Sequence, residues 1–134
     1  PAVFTLAYTN AGLSPVGSST YFMPLKIGDR RTRELMLTNR LLAAPEALDW
    51  GVVNQVVENG AALVAAQAMA ERMAAGPTEA YAQVKRLLDA SFSQTLESQM
   101  ELEARAIATQ VASADGQEGM QAFVEKRKPQ FTGT

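Results

Sequence analysis

Ala44-Pro45-Glu46-Ala47-Leu48-Asp49-Trp50-Gly51-Val52-Val53-Asn54-Gln55-Val56-Val57 packs two changes of backbone habit into one short stretch. Pro45 stands just inside a short helix and Gly51 just past its end. That asymmetry brackets helices, because proline lacks an N–H the first turn leaves unpaired anyway and glycine takes a left-handed exit without a Cβ clash. The valine-rich run at 52–57 predicts a strand after it. A short helix feeding a strand points to an α/β class with helices in the majority, since the rest of the chain offers few other strand candidates.

Toward the N-terminus, Leu35, Met36 and Leu37 beside Arg30, Arg31 and Arg33 predict a helix over Asp29–Thr38 with a basic start. Before it, Asn10-Ala11-Gly12-Leu13-Ser14-Pro15-Val16-Gly17-Ser18-Ser19-Thr20 is turn chemistry leading into a helix that begins around residues 18–20. The opening Pro1-Ala2-Val3-Phe4-Thr5-Leu6-Ala7-Tyr8 has the β-branched and aromatic content of a strand and no initiator methionine. A lone strand needs a sheet to join, so its partners are expected upstream in a longer protein or in another chain.

Toward the C-terminus the sequence predicts four helices and no strand. Residues 61–75 are alanine-rich with Leu63, Met69 and Met73 and stop at Gly76-Pro77. Thr78–Ser91 carries Tyr81, Val84, Leu87 and Leu88 at helical spacing. A third helix takes Thr95 as N-cap and runs to Ala112, with Glu101 placed four residues before Arg105. The last is expected to open at Asp115 with Glu118 in a capping-box pattern, and to carry Met120, Phe123 and Val124 into the basic Lys126-Arg127-Lys128. The expected division is residues 1–59 and 60–134, near Glu58-Asn59-Gly60.

Composition narrows the chemistry. The 134 residues are 47% hydrophobic, enough for a core and unlike a disordered chain. A net charge of -2 gives no global attraction to nucleic acid or an anionic membrane, so neither is an expected partner and any basic site is a local patch. Without cysteine there is no disulfide framework, thiol catalysis or cysteine zinc site. Without histidine the usual general base and the commonest metal ligand are gone, and no metal is expected. Chemistry falls to carboxylates, tyrosine, lysine or backbone dipoles. The longest apolar run, residues 61–70, is short and contains Gln67, so the expectation is a soluble, cytoplasmic chain.

Three segments in order carry a resemblance. They are Ala2-x-Phe4-x-x-x-Tyr8-x-x-x-Gly12-Leu13-x-Pro15-x-Gly17-x-x-Thr20; Ile27-Gly28 to Arg31 with Glu34-Leu35-Met36-Leu37-Thr38 and Ala47-x-x-Trp50-Gly51-x-Val53-Asn54-x-Val56-Val57; and Glu118-Gly119-Met120-x-Ala122-Phe123-x-Glu125-Lys126-Arg127-x-Pro129-x-Phe131. Together they resemble the C-terminal half of the crotonase (enoyl-CoA hydratase/isomerase) superfamily. The resemblance implies the C-terminal part of a β/β/α spiral with a helical trimerisation tail. It also implies an acyl-CoA thioester substrate with no bound cofactor, and a homo-oligomer, trimer or hexamer. By the same resemblance the thioester enolate is held by two backbone amides, an oxyanion hole that lies upstream of this chain, in the missing N-terminal half.

The same resemblance puts Tyr8 and Val16 where relatives carry acids, and Tyr8, Leu13, Pro15 and Val16 along the acyl pocket. Hydration needs a carboxylate to position water and shuttle its proton, and phenols stay protonated at neutral pH. An isomerase is therefore expected over a hydratase, and the aromatic at position 8 resembles the ring-epoxide and Δ3-Δ2 enoyl-CoA isomerases and the chlorobenzoyl-CoA dehalogenases. Valine cannot ionise, which weighs against a dehalogenase or an aspartate-dependent isomerase, and no catalytic residue is assigned within the chain. The resemblance also places Phe123 and Lys126 near the adenine and phosphates of a CoA bound to a neighbouring subunit. Each assignment has a plainer structural reading. Tyr8 packs, Asn10, Ser14 and Ser18 shape the turn, the arginines of 30–33 form a solvated face, the basic end complements a helix C-terminus, and Trp50 packs under the short helix. A non-catalytic oligomerisation or acyl-CoA-binding module is the rival to an enzyme; this chain alone is expected to be inactive.

Overall fold

The computed structural model describes residues 2–134, and the chain divides into two units, Pro1–Leu63 and Val64–Thr134. In the first, strand β1 (Val3–Phe4) pairs antiparallel with β2 (Leu42–Ala43), Val3 opposite Ala43 and Phe4 opposite Leu42. Only this part of the expected N-terminal strand pairs; residue 1 lies outside the described residues, and Ala7–Ala11 wind into a 3-10 helix that includes Tyr8.

Helices α1 (Ser19–Ile27) and α2 (Asp29–Thr38) meet at Gly28, whose φ of 82° turns the chain between them. Thr32 Oγ1 donates to the Gly28 carbonyl at 2.9 Å, and Asn39 closes α2 in the left-handed region. After β2, the short helix α3 (Ala44–Asp49) forms where expected, with proline in its first turn and Gly51 at φ 74° beyond it.

The strand expected at 52–57 does not form. Beyond Gly51 the chain folds back on α3, and the N–H groups of Val52 and Val53 donate to Ala47 O at 2.8 and 3.3 Å. Groups committed to a helix end are lost to a strand ladder. β2, in the apolar run Leu41-Leu42-Ala43-Ala44, pairs with β1 within the chain, where partners upstream or in another chain were expected.

Ile27, Leu35, Leu42 and Ala47 form the core, with Leu6, Met23, Trp50, Val52 and Val53 around them. Burying a side chain such as Leu42, 1% exposed, stabilises by roughly 1.5–3 kcal/mol. Above it, Arg31 and Arg40 lie 4.6 and 4.9 Å from the Trp50 ring centre, and Arg40 pairs with Glu34 and Glu46 at 2.5 and 2.8 Å. Cation–π contact with the indole thus joins α2 to α3.

In the second unit, α4 (Ala62–Ala74, beginning two residues before the division) precedes α5 (Thr78–Ser91), α6 (Leu96–Ala112) and α7 (Ala114–Val124). Among the described residues from 64 onward no strand occurs. α5 packs on α6 and α6 on α7. Gln99 Nε2 donates to Leu87 O at 3.0 Å across the first pair. At the turn into α7 a Cβ on Gly116 would lie 1.9 Å from Gln110 O, so only glycine fits.

Thr95 caps α6 as expected, accepting from Ser98 N at 3.2 Å. The cap of α7 differs from expectation: Ser113 Oγ accepts from Gly116 N at 3.0 Å, and Asp115 lies inside the helix. Asp115 is 3% exposed and faces the C-terminal tail, accepting from Thr132 N at 2.7 Å and Gly133 N at 2.8 Å, while its own N–H donates to Thr134 O. A capping carboxylate satisfies its own helix; this one is drawn off by donors seventeen residues away.

Candidate functional site

The turn from Tyr8 to Ser18 is set by backbone more than by side chains. Gly12 N donates to Thr9 O at 3.1 Å and Leu13 N to Tyr8 O at 3.0 Å, closing the 3-10 helix through a glycine at φ 69°. Gly17 and Ser18, at φ 70° and 58°, reverse the chain into α1. Ser18 makes no side-chain cap; its carbonyl accepts from Tyr21 N and Phe22 N, and Ser19 Oγ donates to Val16 O at 3.0 Å. The glycines at 12 and 17 therefore serve turn geometry.

Tyr8, Leu13, Pro15 and Val16 accordingly share one turn. Tyr8 and Pro15 are half-buried, while Leu13 and Val16 are 61% and 66% exposed. The exposed aromatic and aliphatic residues Tyr21, Phe22 and Leu25 continue from it along α1. No residue of 8–18 bears a carboxylate or an amine. This surface offers apolar contact and hydroxyl and amide groups, and it supplies no general base of ordinary strength.

Two residues overlooked in the sequence hold this turn. Thr9 Oγ1 donates to Met36 O at 2.7 Å and accepts from Asn39 Nδ2 at 2.6 Å, and Thr5 Oγ1 donates to Asn39 O at 3.2 Å. A Thr-Asn pair straight after an amphipathic helix was the available signal, since asparagine tolerates the left-handed exit; its partner Thr9, thirty residues earlier, left no local trace.

In the second unit Phe123 is 85% exposed near the end of α7, and Lys126 follows in the left-handed region at φ 56°. Lys126 N donates to Phe123 O at 3.2 Å and Arg127 N to Ala122 O at 3.0 Å, which closes the helix around the lysine. The three basic residues here differ. Arg127 pairs with Glu118 and Glu125, both at 2.5 Å, whereas Lys126 and Lys128 make no ion pair among the described residues. The Arg127 guanidinium and the Gln130 N–H hold the Glu118 carboxyl down at about 2, and the N–H groups of Thr132 and Gly133 lower Asp115.

Beside Phe123 an open apolar cleft of ≈ 610 Å³ is lined by Pro77, Ala80, Gly119, Met120, Val124 and Phe131. Phe123 thus lines a hydrophobic recess and Lys126 follows it three residues on, while Tyr8, Leu13, Pro15 and Val16 belong to the other unit. Among the described residues no group of three histidine, cysteine, aspartate or glutamate side chains is gathered as a metal ion would require, and no helix is long and apolar enough to cross a membrane.

A family model described as enoyl-CoA hydratase/isomerase matches residues 1–134. The chain is similar to 1,2-epoxyphenylacetyl-CoA isomerase of Escherichia coli strain K12, 35% identical over 132 residues covering 98% of this chain and 50% of the relative. It is also similar to a protein of Rhodobacter capsulatus described as a probable enoyl-CoA hydratase, 37% identical over 98% of this chain and 51% of the relative. Among solved structures, an enoyl-CoA hydratase from Polaromonas sp. JS666 superposes with a TM-score of 0.92 at 32% identity, covering 98% of this chain and 51% of that one. The chain spans about half the length of the curated relatives it matches.

Proposed function

The chain belongs to the enoyl-CoA hydratase/isomerase family and carries the C-terminal part of the crotonase fold, and from that premise we propose that it is part of an acyl-CoA enzyme of the isomerase type. The observation that carries the reading is the turn at Tyr8–Ser18, which presents Leu13 and Val16 to solvent beside Tyr8 and offers no carboxylate. Hydration places an acid and a base around a water molecule, and this wall lacks one of them. Shifting a double bond asks the wall for less. A proton leaves the carbon chain next to the thioester and returns further along it, and the enolate between is held by oxyanion-hole amides. Those amides, and the group that moves the proton, belong in this reading to sequence upstream of Pro1.

Leu13, Pro15 and Val16 then shape the acyl pocket with Tyr8 across it, while Phe123 and Lys126 receive the adenine and a phosphate of coenzyme A bound to a neighbouring subunit. The ion pairs of Arg127 support this choice of lysine, because they leave Lys126 as the basic group of the cluster nearest Phe123 without a carboxylate partner. Lysine suits a phosphate as a point charge. Trimeric association is part of the reading, supported by the exposed Leu96, Met100 and Ile107 of α6, and cytoplasmic placement goes with it. A second reading, a non-catalytic acyl-CoA-binding or oligomerisation module, draws on the same lack of carboxylates at positions 8 and 16.

The test compares the 134-residue chain with the same chain extended upstream, measuring binding of an enoyl-CoA thioester, double-bond migration and hydration. Migration without hydration, seen only in the extended form, supports the isomerase. Hydration at a comparable rate overturns it, and binding without turnover in both forms selects the non-catalytic module.

A further inference from the structure

The 3-10 helix Ala7–Ala11 contains no buried residue, and the Leu13 and Val16 side chains that follow it are mostly exposed. Half-buried Tyr8 and Thr9 and the core contact of Leu6 give this turn only part of its fixing. Something else must supply the rest, because a wall that wanders by an ångström loses its value for aligning a substrate.

The fixed body nearby is α2. Its Leu35 is 2% exposed in the core, and just past its C-terminus Arg40 is tied to Glu34 and to Glu46 of α3. Between the helix and this arginine stands Asn39, at φ 54° and ψ 21°, its N–H bonded to Leu35 O at 3.0 Å. Glycine is the residue that adopts this conformation at least cost, and a Cβ there is strained. The asparagine side chain answers for that cost across the chain. Its Nδ2 donates to Thr9 Oγ1, whose proton goes to the Met36 carbonyl, one of the orphan acceptors of the helix end. The carbonyls of Tyr8 and Thr9 in turn take the N–H groups of Leu13 and Gly12. Hydrogen bonds therefore tie the Thr9 side chain to the C-terminus of α2, and the backbone of Tyr8 and Thr9 carries that attachment to Gly12 and Leu13.

We infer that Asn39 and Thr9 are positioning residues that hold the Tyr8–Leu13 turn to α2 and thereby set the acyl-pocket wall. The inference rests on the reading of that turn as a pocket wall, and the experiment separates the two.

Hydrogen exchange at Gly12 and Leu13 would be followed in the full gene product for Asn39→Gly, Thr9→Val and Thr9→Ser, with KM and kcat for an enoyl-CoA thioester measured on the same samples. Asn39→Gly relieves the backbone cost, so the melting temperature holds or rises. Meanwhile the two amides exchange about three- to tenfold faster, the scale of one lost hydrogen bond, and KM rises in step with them. Thr9→Val behaves alike, and Thr9→Ser, which restores the hydroxyl, returns both readouts to normal. A residue needed only for its φ angle would pass through Asn39→Gly with neither readout moved.

Unchanged exchange in both Asn39→Gly and Thr9→Val overturns the inference. Faster exchange with unchanged KM and kcat upholds the tether and overturns the pocket reading instead. Should Asn39→Gly fail to fold, the comparison is read from Thr9→Val against Thr9→Ser, which leave the helix exit intact.

Discussion

The two units are held by different forces. The first closes over Ile27, Leu35, Leu42 and Ala47, whereas in the second Ala122 is the one buried hydrophobic among the described residues. There the shape is kept by helix caps, by the close approach at Gly116, and by the carboxylates Asp115 and Glu118 that hold the tail. Val84, Leu88, Leu96, Met100 and Ile107 stay exposed in that unit. A helical unit that buries so little apolar surface leaves apolar faces open, and on the proposed reading these are its contact surface.

The largest expected effect tests the first half of that contrast. Leu42→Ala removes a side chain that is 1% exposed and touches both the small sheet and the core, and should cost about 2–5 kcal/mol in denaturant unfolding. In the second unit Ile107→Ser, at a position 63% exposed, should change unfolding by less than about 0.5 kcal/mol while shifting sedimentation toward smaller species. A large stability loss at Ile107, or none at Leu42, would break the distinction between core and contact surface.

Asp115→Asn comes next. The amide keeps the size of the carboxylate but only one acceptor oxygen where two now receive Thr132 and Gly133. Exchange of those two amides should speed by about tenfold, with the melting of the first unit unmoved. Equal protection in the variant would mean that the tail is held by packing.

Acid gives a gentler version of the same test. The folded Glu118 carboxyl titrates at about 2, below its ordinary 4.5, and Asp115 is lowered as well. A depressed carboxyl contributes stability that is complete above its unfolded value and lost as pH falls through the folded one. Protection of Gln130 should therefore be constant above pH 4.5 and decline toward about 2, and that of Thr132 should fall only below the ordinary carboxylate range as Asp115 protonates. Replacing Arg127 with methionine should move the Glu118 midpoint back up, read directly by carboxyl NMR. A midpoint that stays put would remove Arg127 as its cause.

Local signals were the ones the sequence made legible. Thr95, the Gly76-Pro77 stop and the Pro45 to Gly51 bracket each act through residues within one turn, and each stands where it was read. Errors arose where a competing partner, near or far, claimed the groups on which a signal relied. The valines of 52–57 have strand propensity, but two of their N–H groups went to Ala47, and a strand exists only with a partner ladder. Asp115 looked like a cap until the tail claimed it, and Ser113, two residues before, took the role. Of the site, the composition of the turn at 8–18 was visible, while its 3-10 form and its attachment to Asn39 were not, because Thr9 and Asn39 meet only after α1 and α2 have folded between them.

The smallest effect sharpens the comparison from the solvent side. Glu101 and Arg105 form an i,i+4 pair at 2.8 Å on α6, with side chains 61% and 75% exposed. Water screens such a pair, and holding two long side chains in one geometry costs entropy, so Glu101→Ala should change unfolding by only about 0.3–0.5 kcal/mol and lose even that in molar salt. A larger, salt-resistant loss accompanied by a change in sedimentation would place this face of α6 inside an interface, extending the contact surface around the helix from the Ile107 side. A small loss confines that surface to the apolar residues and leaves the charged face to solvent.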